Sequence, residues 1–262
     1  MNNYYRHPII DPIEKTNYTV HSNETIMQIG RKYFNFETQI RIMDVNLAYD
    51  TWASQYDKNK NKTRDLEGQA MRASLENIRF DRVLEIGCGT GKNTIWFVEK
   101  AKQITAIDLS DKMLALAKEK IKTGNVQFVR GDITRPWSFG KGLYDLVSFS
   151  LVLEHIDNLD HIFRETSKSL QPGGYVYIGE LHPFKQYSGT KARFDNEEGQ
   201  QEVNCFIHNI SDFIQSARKC GFRLVDMEEY FDNNDRNEIP RILVIILRKE
   251  FVSKNGPDTI TG

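Results

Sequence analysis

Three alternate glycines, Gly87, Gly89 and Gly91, follow a short apolar segment and stand directly before a helix-like segment at 92–101. This order predicts a strand, a tight turn and a helix. Glycine lets the backbone turn sharply and approach a ligand closely, because it has no Cβ. A helix behind the turn points free N–H groups and the positive end of its dipole at the same place. The turn is therefore predicted to bind a polar or anionic small molecule.

The composition limits the kinds of partner. Lys and Arg number 35 against 36 Asp and Glu, so the formal net charge is −1 and no strong positive field would attract nucleic acid or an anionic membrane. No apolar run approaches the about 20 residues of a membrane span, and the first residues show no secretory signal. The three cysteines, Cys88, Cys205 and Cys220, are far apart and odd in number. We therefore expect a cytoplasmic protein with reduced thiols and no thiolate metal cluster.

From Arg82 onward, predicted strands and helices alternate with short connections. The strands are predicted at 83–86, 104–109, 126–130, 146–151 and 175–179, and the helices at 90–101, 111–122 and 158–170. Ser110 is a favourable N-cap, and Gln171-Pro172-Gly173-Gly174 is a strong helix stop. A further helix at 211–220 precedes a hairpin of strands at 222–230 and 242–248. This order predicts a parallel sheet with helices on both faces, an antiparallel strand at one edge, and ligands at the carboxyl ends of the strands.

The segments outside this alternation predict an arm and a cover. Residues 1–40 read as an N-terminal arm with one helix, which is a candidate for surface packing, for a homodimer interface or for a substrate lid. The main domain is expected at 41–250, with a C-terminal tail at 251–262. Within it, a helical face is predicted near 40–57, a solvated basic loop at 58–64 and an amphipathic helix at 65–78. The long segment 181–208 favours a lid or a substrate-binding insertion. The helical face near 40–57 carries Leu47, Tyr49, Trp52, Ala53 and Tyr56.

The spacing of the glycines distinguishes between ligand classes. A dinucleotide turn requires glycine at position 92, where Lys92 stands, and a P-loop requires Ser or Thr after Gly91-Lys92, where Asn93 stands. Asp108 ends the second predicted strand, where a carboxylate can accept both hydroxyls of a ribose. Asp132 follows the third, within reach of an adenine amino group. These features together indicate an adenosine-containing ligand.

The segment from Arg82 to Glu180 resembles the class I S-adenosylmethionine-dependent methyltransferases. The matching motifs are VLEIGCGTG, AIDLS, GDI, DLVSFSLVLEHI and LQPGG, in the order and spacing of that family. The resemblance implies an α/β fold with a Rossmann-like, doubly wound, seven-stranded sheet in the order 3-2-1-4-5-7-6. One antiparallel strand would lie near the edge, with the helical arm before the methyltransferase domain and the lid insertion after strand 5.

The resemblance also implies which residues bind S-adenosylmethionine and its product S-adenosylhomocysteine. In the family, the glycine turn lines the methionine part, the acidic end of the second strand binds the ribose, and residues near the second and third strand ends bind the adenine. The end of the fourth strand lies beside the sulfonium, and a lid tyrosine approaches the cofactor carboxylate. Carried over by position, these contacts fall on Tyr56, Glu85, Gly87, Cys88, Gly89, Asp108, Leu109, Met113, Asp132, Ile133, Ser150 and Leu151.

Methyl transfer from a sulfonium is an in-line displacement, so the enzyme mainly aligns the acceptor and, for an O–H or N–H⁺ acceptor, removes a proton. His182 is the favoured base because it leaves the fifth strand into the insertion and histidine titrates near neutrality. Glu180 and His155 are the other catalytic candidates, although His155 is also suited to a structural or cofactor-side role. Asp157 and Asn158 lack a second carboxylate with ligand geometry, so no metal is expected.

These features predict methyl transfer to oxygen or nitrogen of a small-molecule metabolite, beneath a cover formed by 40–57 and 181–208. One alternative is methylation of a tRNA or of a protein side chain, which a basic patch around the cleft would favour. Another is a non-catalytic binding module that retains the cofactor fold. Neither nucleic acid nor membrane is an expected partner.

Overall fold

The computed structural model describes residues 41–139, 144–196 and 199–251, all of which belong to the unit Ile40–Gly262. The predicted arm at 1–40 and its role in a homodimer lie outside the described residues, and so does the tail beyond Phe251.

The described part of the chain has seven α-helices, ten strands and two short 3₁₀ helices, Leu153–His155 and Asp232–Asn234. None of these helices combines the length and the apolar content needed to cross a membrane. In chain order the elements are β1 (Arg41–Met43), α1 (Val45–Tyr56), α2 (Lys62–Leu75), β2 (Arg82–Ile86), α3 (Thr94–Lys100), β3 (Gln103–Asp108), α4 (Asp111–Lys120), β4 (Val126–Arg130), β5 (Tyr144–Ser150), α5 (Leu159–Ser169), β6 (Leu170–Leu181), α6 (Pro183–Tyr187), β7 (Arg193–Asn196), β8 (Gly199–Val203), α7 (Ile210–Lys219), β9 (Phe222–Tyr230) and β10 (Ile242–Lys249).

Seven of the strands form one sheet in the order β4-β3-β2-β5-β6-β10-β9. Counted along the chain within this sheet, the order is 3-2-1-4-5-7-6, so the predicted topology is confirmed. The pairs from β4 to β6 are parallel, whereas β10 is antiparallel to both β6 and β9. The antiparallel strand therefore lies one position inside the edge.

Helices cover both faces of this sheet, which explains the apolar character of its inner strands. One face packs Phe163 of α5 and Phe213 of α7, and the other packs Met71 of α2 and Phe97 of α3. Residues 242–247 of β10 are all buried, as expected for a strand with both faces covered. The carboxyl ends of the parallel strands remain as the place where a ligand can bind.

Two predictions around the glycines are corrected. The helix after the glycine turn begins at Thr94 and not at residue 90, because Gly91 has φ +84° and the backbone there is not helical. Gln171-Pro172-Gly173-Gly174 lies within β6 and does not separate the helix from the strand. Tyr144 of β5 pairs with Leu170 of β6, and Leu146 pairs with Tyr175. Residues 171–174 therefore form an irregularity in β6, where Gly173 has φ +81°.

The segment before the main sheet also differs from its prediction in detail. Helix α2 begins at Lys62, inside the predicted loop 58–64, because the Asn61 side chain caps it by accepting from the Arg64 N–H at 3.0 Å. On α1, Leu47 is 56% exposed and the buried positions are Ala48, Trp52 and Ala53. The capping role predicted for Ser110 is confirmed, since its Oγ accepts from the Met113 N–H at 3.1 Å.

A second, three-stranded sheet joins the two segments predicted to form the cover. β1 pairs in parallel with β8, and β8 pairs antiparallel with β7. Val203 of β8 packs against Ala48 and Trp52 of α1 in a small core of its own. Two carboxylates bond α1 to the main domain. Asp50 accepts from the Ser110 hydroxyl, and Asp57, the C-cap of α1, accepts from the Thr90 hydroxyl. We call α1 with this small sheet the cover.

Candidate functional site

A cavity of about 280 Å³ lies at the carboxyl ends of the parallel strands. Ile86, Asp108 and Ser150 line it from the ends of β2, β3 and β5, and Gly131 lines it just after β4. The cover supplies the remaining side through the following residues: Asp44, Val45, Asn46, Tyr49 and Tyr56. A small ligand in this cavity would therefore contact both the main sheet and α1.

The structure brings most of the predicted site residues to this cavity and leaves others behind its wall. The lining includes Tyr56, Gly87, Gly89, Asp108, Leu109, Asp132, Ile133, Ser150, Leu151 and the candidate base His155. The lining does not include Glu85, Cys88, Met113, Glu180 and His182.

The glycine turn is tied to the neighbouring strand β3. The N–H groups of Gly87 and Cys88 both donate to the Ile107 carbonyl, at 2.8 and 2.9 Å. Gly87 has φ +70°, and a Cβ built on it would lie 2.2 Å from Val152 Cγ2, so this position requires glycine. A Cβ on Gly89 would meet no atom within 4 Å. The turn therefore packs tightly at Gly87 and leaves open space at Gly89.

Asp108 connects the end of β3 to the glycine turn. Its Oδ2 accepts from the Gly89 N–H at 2.7 Å and its Oδ1 from the Ser110 N–H at 2.9 Å. Burial raises the pKa of this carboxyl above its usual value, while the backbone N–H donors oppose the rise. Each oxygen keeps a further lone pair, so the group can still accept hydrogen bonds from a ligand.

Asp132 is the second predicted adenosine contact, and it is held by its own loop. Its Oδ1 accepts from both the N–H and the hydroxyl of Thr134, at 2.9 and 2.6 Å. The buried Ile133 between these two residues lines the cavity next to them.

Three predicted cofactor contacts lie behind the lining. Glu85 is buried and accepts from the Thr94 hydroxyl at 2.6 Å, and burial raises its pKa to about 8. Cys88 belongs to the buried apolar cluster that contains Phe97, and Met113 is 1% exposed. Glu85 in β2, Cys88 in the glycine turn and Met113 in α4 thus lie outside the cavity lining, and their cofactor contacts stay predictions.

His182, the favoured base, is completely buried outside the cavity lining. Its Nδ1 accepts from the Phe184 N–H at 3.1 Å and caps α6, so the proton lies on Nε2, which donates to Glu229 at 3.0 Å. Burial lowers the pKa of this imidazole, against the opposing effect of Glu229. Strand β6 extends to Leu181, two residues beyond the predicted end, and this extension turns His182 into a helix cap.

Glu180 also lies behind the cavity, where it holds the loop that follows β5. Its Oε1 accepts from the N–H groups of Val152 and Leu153, at 3.0 and 2.8 Å. Burial, followed by the charge of the nearby Glu154, raises the pKa of Glu180 to about 8. The residue therefore positions the cavity-lining Val152 and does not itself reach the cavity.

Glu180→Gln is expected to remove a pH-dependent part of the stability. The folded-state pKa is raised from 4.5 to about 8, so the folded protein binds more protons than the unfolded chain between these values. The contribution of Glu180 is complete below pH 4.5 and falls by up to about 1.4 kcal/mol per pH unit as the pH rises toward about 8. Glutamine retains an oxygen acceptor and does not titrate.

Urea unfolding at about pH 5 and about pH 8 measures this difference. The wild type should lose more free energy of unfolding between the two conditions than the Gln variant, and the exposed Glu99→Gln variant should behave like the wild type. Equal losses in the wild type and Glu180→Gln would contradict the assignment.

His155 lies where the cover meets the loop after β5. Its side chain is 5% exposed. Its Nδ1 lies 2.9 Å from the Asn204 carbonyl oxygen and its Nε2 lies 2.8 Å from the Tyr49 hydroxyl. Two further bonds join the same segments, from the Phe206 N–H to the Glu154 carbonyl and from His208 Nε2 to the Ile156 carbonyl, both at 2.6 Å. Of the three predicted catalytic residues, His155 is the one that lines the cavity.

Glu154, His155 and Cys205 each place one ligand-type atom within 4.8 Å of the others. These residue types can bind a transition metal once they are deprotonated. In this structure His155 Nδ1 donates to the Asn204 carbonyl, and burial raises the pKa of Glu154 and that of the Cys205 thiol, the latter to about 12. The three groups therefore form a hydrogen-bonding cluster in this structure.

The sequence analysis did not single out Arg64 and Asn46, and it gave Tyr49 no role of its own. Arg64 was assigned to a solvated loop, but its guanidinium lies 3.9 Å from the centre of the Tyr56 ring and donates to the Tyr56 carbonyl. Asn46 lines the cavity from the first turn of α1. Tyr49 was noted only as part of an aromatic face. Its spacing of seven residues from Tyr56 places both on one side of a helix, and this signal could have identified it.

Comparison with known proteins agrees with this geometry. Residues 84–178 match the model of a family described as Methyltransferase domain, and they span β2 to β6 with the glycine turn and Asp108. Residues 84–178 are therefore a methyltransferase domain of the class I S-adenosylmethionine-dependent type. S-Adenosylmethionine is accordingly its methyl donor.

Relatives cover different shares of this methyltransferase. An uncharacterised methyltransferase of Emericella nidulans is 25% identical over 231 residues, which are 72% of this chain and 79% of that protein. A malonyl-[acyl-carrier protein] O-methyltransferase of Priestia megaterium is 36% identical over 161 residues. These residues are 56% of this chain and 58% of that protein. A methyltransferase structure from Listeria monocytogenes shares the fold, with a TM-score of 0.59, 23% identity, and coverage of 71% of this chain and 98% of that one.

The residues at the cavity fit this cofactor. The open space beside Gly89 lies between the turn and the cover, so the backbone leaves room for a ligand there. The carboxyl of Asp108 can accept from ribose hydroxyls, and the Tyr56 ring lines the same cavity from α1.

Proposed function

We propose that the methyltransferase transfers the methyl group of S-adenosylmethionine to an oxygen or nitrogen atom of a small molecule bound beneath the cover. The observation that carries this proposal is the cavity of about 280 Å³, which α1 closes on the side opposite the strand ends. This volume is close to the lower end of the range for small-molecule sites, about 300 to 1,000 Å³.

The cofactor contacts follow from the side chains at the cavity. Asp108 would accept from the ribose hydroxyls, and Asp132 with Ile133 would contact the adenine. Gly87 and Gly89 would line the methionine part, whose carboxylate would lie toward Tyr56. Ser150 and Leu151, which end β5 and begin the following loop, would contact the sulfonium end. Leu109 would pack against the adenine face.

When bound, the cofactor supplies an electrophilic methyl group, and the chain has to hold the acceptor in line with it. The cover does this by excluding water and by limiting the orientations open to the acceptor. Residues 181–208 contribute β7 and β8 to the small sheet that packs on α1, which supports the substrate-cover role proposed for this insertion.

The relatives support oxygen as one acceptor atom. The Priestia megaterium protein is named as an O-methyltransferase acting on a malonyl group of an acyl-carrier protein.

Calorimetric titration of the purified chain with S-adenosylhomocysteine tests the cofactor half of this proposal. Binding of one molecule per chain is expected, and lack of binding at millimolar ligand contradicts it. Binding should also protect α1 from hydrogen exchange, because the cover closes over the ligand. Binding without protection of α1 would show that the cover has another role.

A further inference from the structure

Tyr49 and His155 form a hydrogen-bonded pair that bridges the cover and the main domain beside the cavity. We infer that this pair removes the proton from the methyl acceptor, and that the acceptor is an uncharged hydroxyl compound. The inference rests on the proposed function, which it extends by naming the proton acceptor and the chemical class of the substrate.

The hydrogen bonds of His155 determine which nitrogen is free to accept a proton. Its Nδ1 lies 2.9 Å from the Asn204 carbonyl oxygen, which can only accept, so Nδ1 carries a proton and donates. In the neutral ring the other nitrogen is then an acceptor. Nε2 accordingly accepts from the Tyr49 hydroxyl at 2.8 Å. His155 is thus oriented as a base whose lone pair faces the cover.

Tyr49 is held in place between His155 and the cavity. Its ring stacks on Trp52 at 5.9 Å and meets the His155 ring edge-on at 5.5 Å. Burial, followed by the nearby Tyr56 and Glu154, raises the pKa of Tyr49 well above its usual value. The tyrosine therefore keeps its proton and passes protons on, instead of acting as a phenolate. Its oxygen can accept from an acceptor hydroxyl while its own O–H donates to His155.

The proton transfer is balanced within this pair. The O–H bond of the acceptor breaks and its proton goes to Tyr49 Oη, while the Tyr49 proton moves to His155 Nε2. The electron pair left on the acceptor oxygen forms the new bond to the methyl carbon, and the pair of the former sulfur–methyl bond stays on sulfur. His155 becomes an imidazolium next to Glu154, whose carboxyl lies 3.9 Å from Nε2.

The charges around the cavity point to an uncharged acceptor. Among the described residues that line it, Asp108 and Asp132 are assigned to the cofactor, Asp44 is the remaining carboxyl, and no lysine or arginine is present. A carboxylate or phosphate acceptor would therefore lack a positive partner and would meet negative charge. A neutral amine can attack before it loses a proton, whereas a hydroxyl needs a base in the transition state. The apolar lining, such as Ile86, Ile107 and Val152, suits an uncharged body.

The pair also depends on the position of the cover. Tyr49 belongs to α1, whereas His155 belongs to the loop after β5. The relay is complete only when α1 lies over the cavity, so proton removal is linked to the exclusion of water.

Nitrogen NMR of the ¹⁵N-labelled chain with S-adenosylhomocysteine bound tests the tautomer. The His155 signals are assigned by their loss in His155→Gln. We expect a proton on Nδ1 and an unprotonated Nε2, and Tyr49→Phe should shift Nε2 while leaving the other histidines unchanged. A proton on Nε2 overturns the inference.

Transfer of the labelled methyl group from tritiated S-adenosylmethionine then tests the acceptor class. Three matched compound libraries are used, in which the same scaffolds carry a hydroxyl, an amine or a carboxylate. Methyl transfer should occur to hydroxyl compounds. Tyr49→Phe and His155→Gln should each lower kcat by about 100-fold or more, with the affinity for S-adenosylhomocysteine within about threefold of wild type. Tyr230→Phe, whose hydroxyl donates to Glu228 away from the cavity lining, is the matched control and should keep the wild-type kcat.

Three outcomes would overturn the inference, provided that the wild type still binds the cofactor. They are transfer to amines or carboxylates alone, no transfer to any hydroxyl compound, and transfer to hydroxyls that is undiminished in Tyr49→Phe. A change in KM or in cofactor affinity without a change in kcat would assign the pair to holding the cover, which also overturns it. Loss of cofactor binding in the wild type is instead a failure of the proposed function.

Discussion

Gly87→Ala is expected to lower the free energy of unfolding by about 2 to 5 kcal/mol, from the left-handed backbone and from overpacking together. The new Cβ would lie 2.2 Å from Val152 Cγ2 at a residue with φ +70°. Val152 cannot retreat easily, because its N–H donates to the buried Glu180 carboxyl at 3.0 Å. Since about 1 kcal/mol shifts the melting temperature of a chain of this size by roughly 2–4 °C, calorimetry should resolve the change readily.

Gly89→Ala is the matched control for this prediction. Gly89 also has a positive φ, +53°, but a Cβ there would meet no atom within 4 Å. The cost should be about 1 kcal/mol from the left-handed conformation alone. Its Cβ would instead enter the open space at the cavity, so the affinity for S-adenosylhomocysteine should fall by about tenfold or more. Equal melting temperatures for the two variants would contradict the packing argument at Gly87.

Asp108→Ala is expected to weaken binding of S-adenosylhomocysteine by about 10² to 10⁴-fold. Two hydrogen bonds from ribose hydroxyls to a carboxylate, at about 1.5–3 kcal/mol each, would be lost. The substitution also leaves the N–H groups of Gly89 and Ser110 without their acceptor, which loosens the glycine turn. Calorimetric titration measures the affinity, and the melting temperature without ligand measures the effect on the turn.

Asp108→Asn separates these two effects. The amide oxygen can still accept one backbone N–H, so the turn should be retained better than in the alanine variant, with a loss of affinity of only about tenfold. The exposed Asp235→Ala variant should bind as the wild type does. If Asp108→Ala bound S-adenosylhomocysteine with unchanged affinity, the ribose-binding role would be wrong.

Local sequence patterns were sufficient for most of the sheet and for much of the cavity. The five parallel strands, the hairpin of β9 and β10 and the N-cap at Ser110 each depend on neighbouring residues, and all are present. The glycines and the acidic strand ends likewise reach the cavity lining, because the carboxyl ends of parallel strands share one edge.

The structure differs from expectation where a residue's position depends on distant parts of the chain. His182 was favoured as the base from its place after a predicted strand, but β6 pairs with β10 as far as Leu181 and converts His182 into a buried helix cap. Glu85 and Met113 follow the family pattern in sequence, yet their side chains point into the core. The burial of a side chain depends on long-range packing, which a local pattern does not contain.

The sequence by itself determined the methyl donor and the alternation of strands and helices, because the glycine turn, Asp108 and the hydrophobic pattern are local features with strong physical constraints. The strand order followed from the family resemblance. Only the tertiary structure decided which histidine lies at the cavity. It does so by pairing β1 with β8 across some 160 residues of chain, which places Tyr49 of α1 within 2.8 Å of His155. Such a contact follows from the packing of the cover on the main domain, and neither segment alone encodes it.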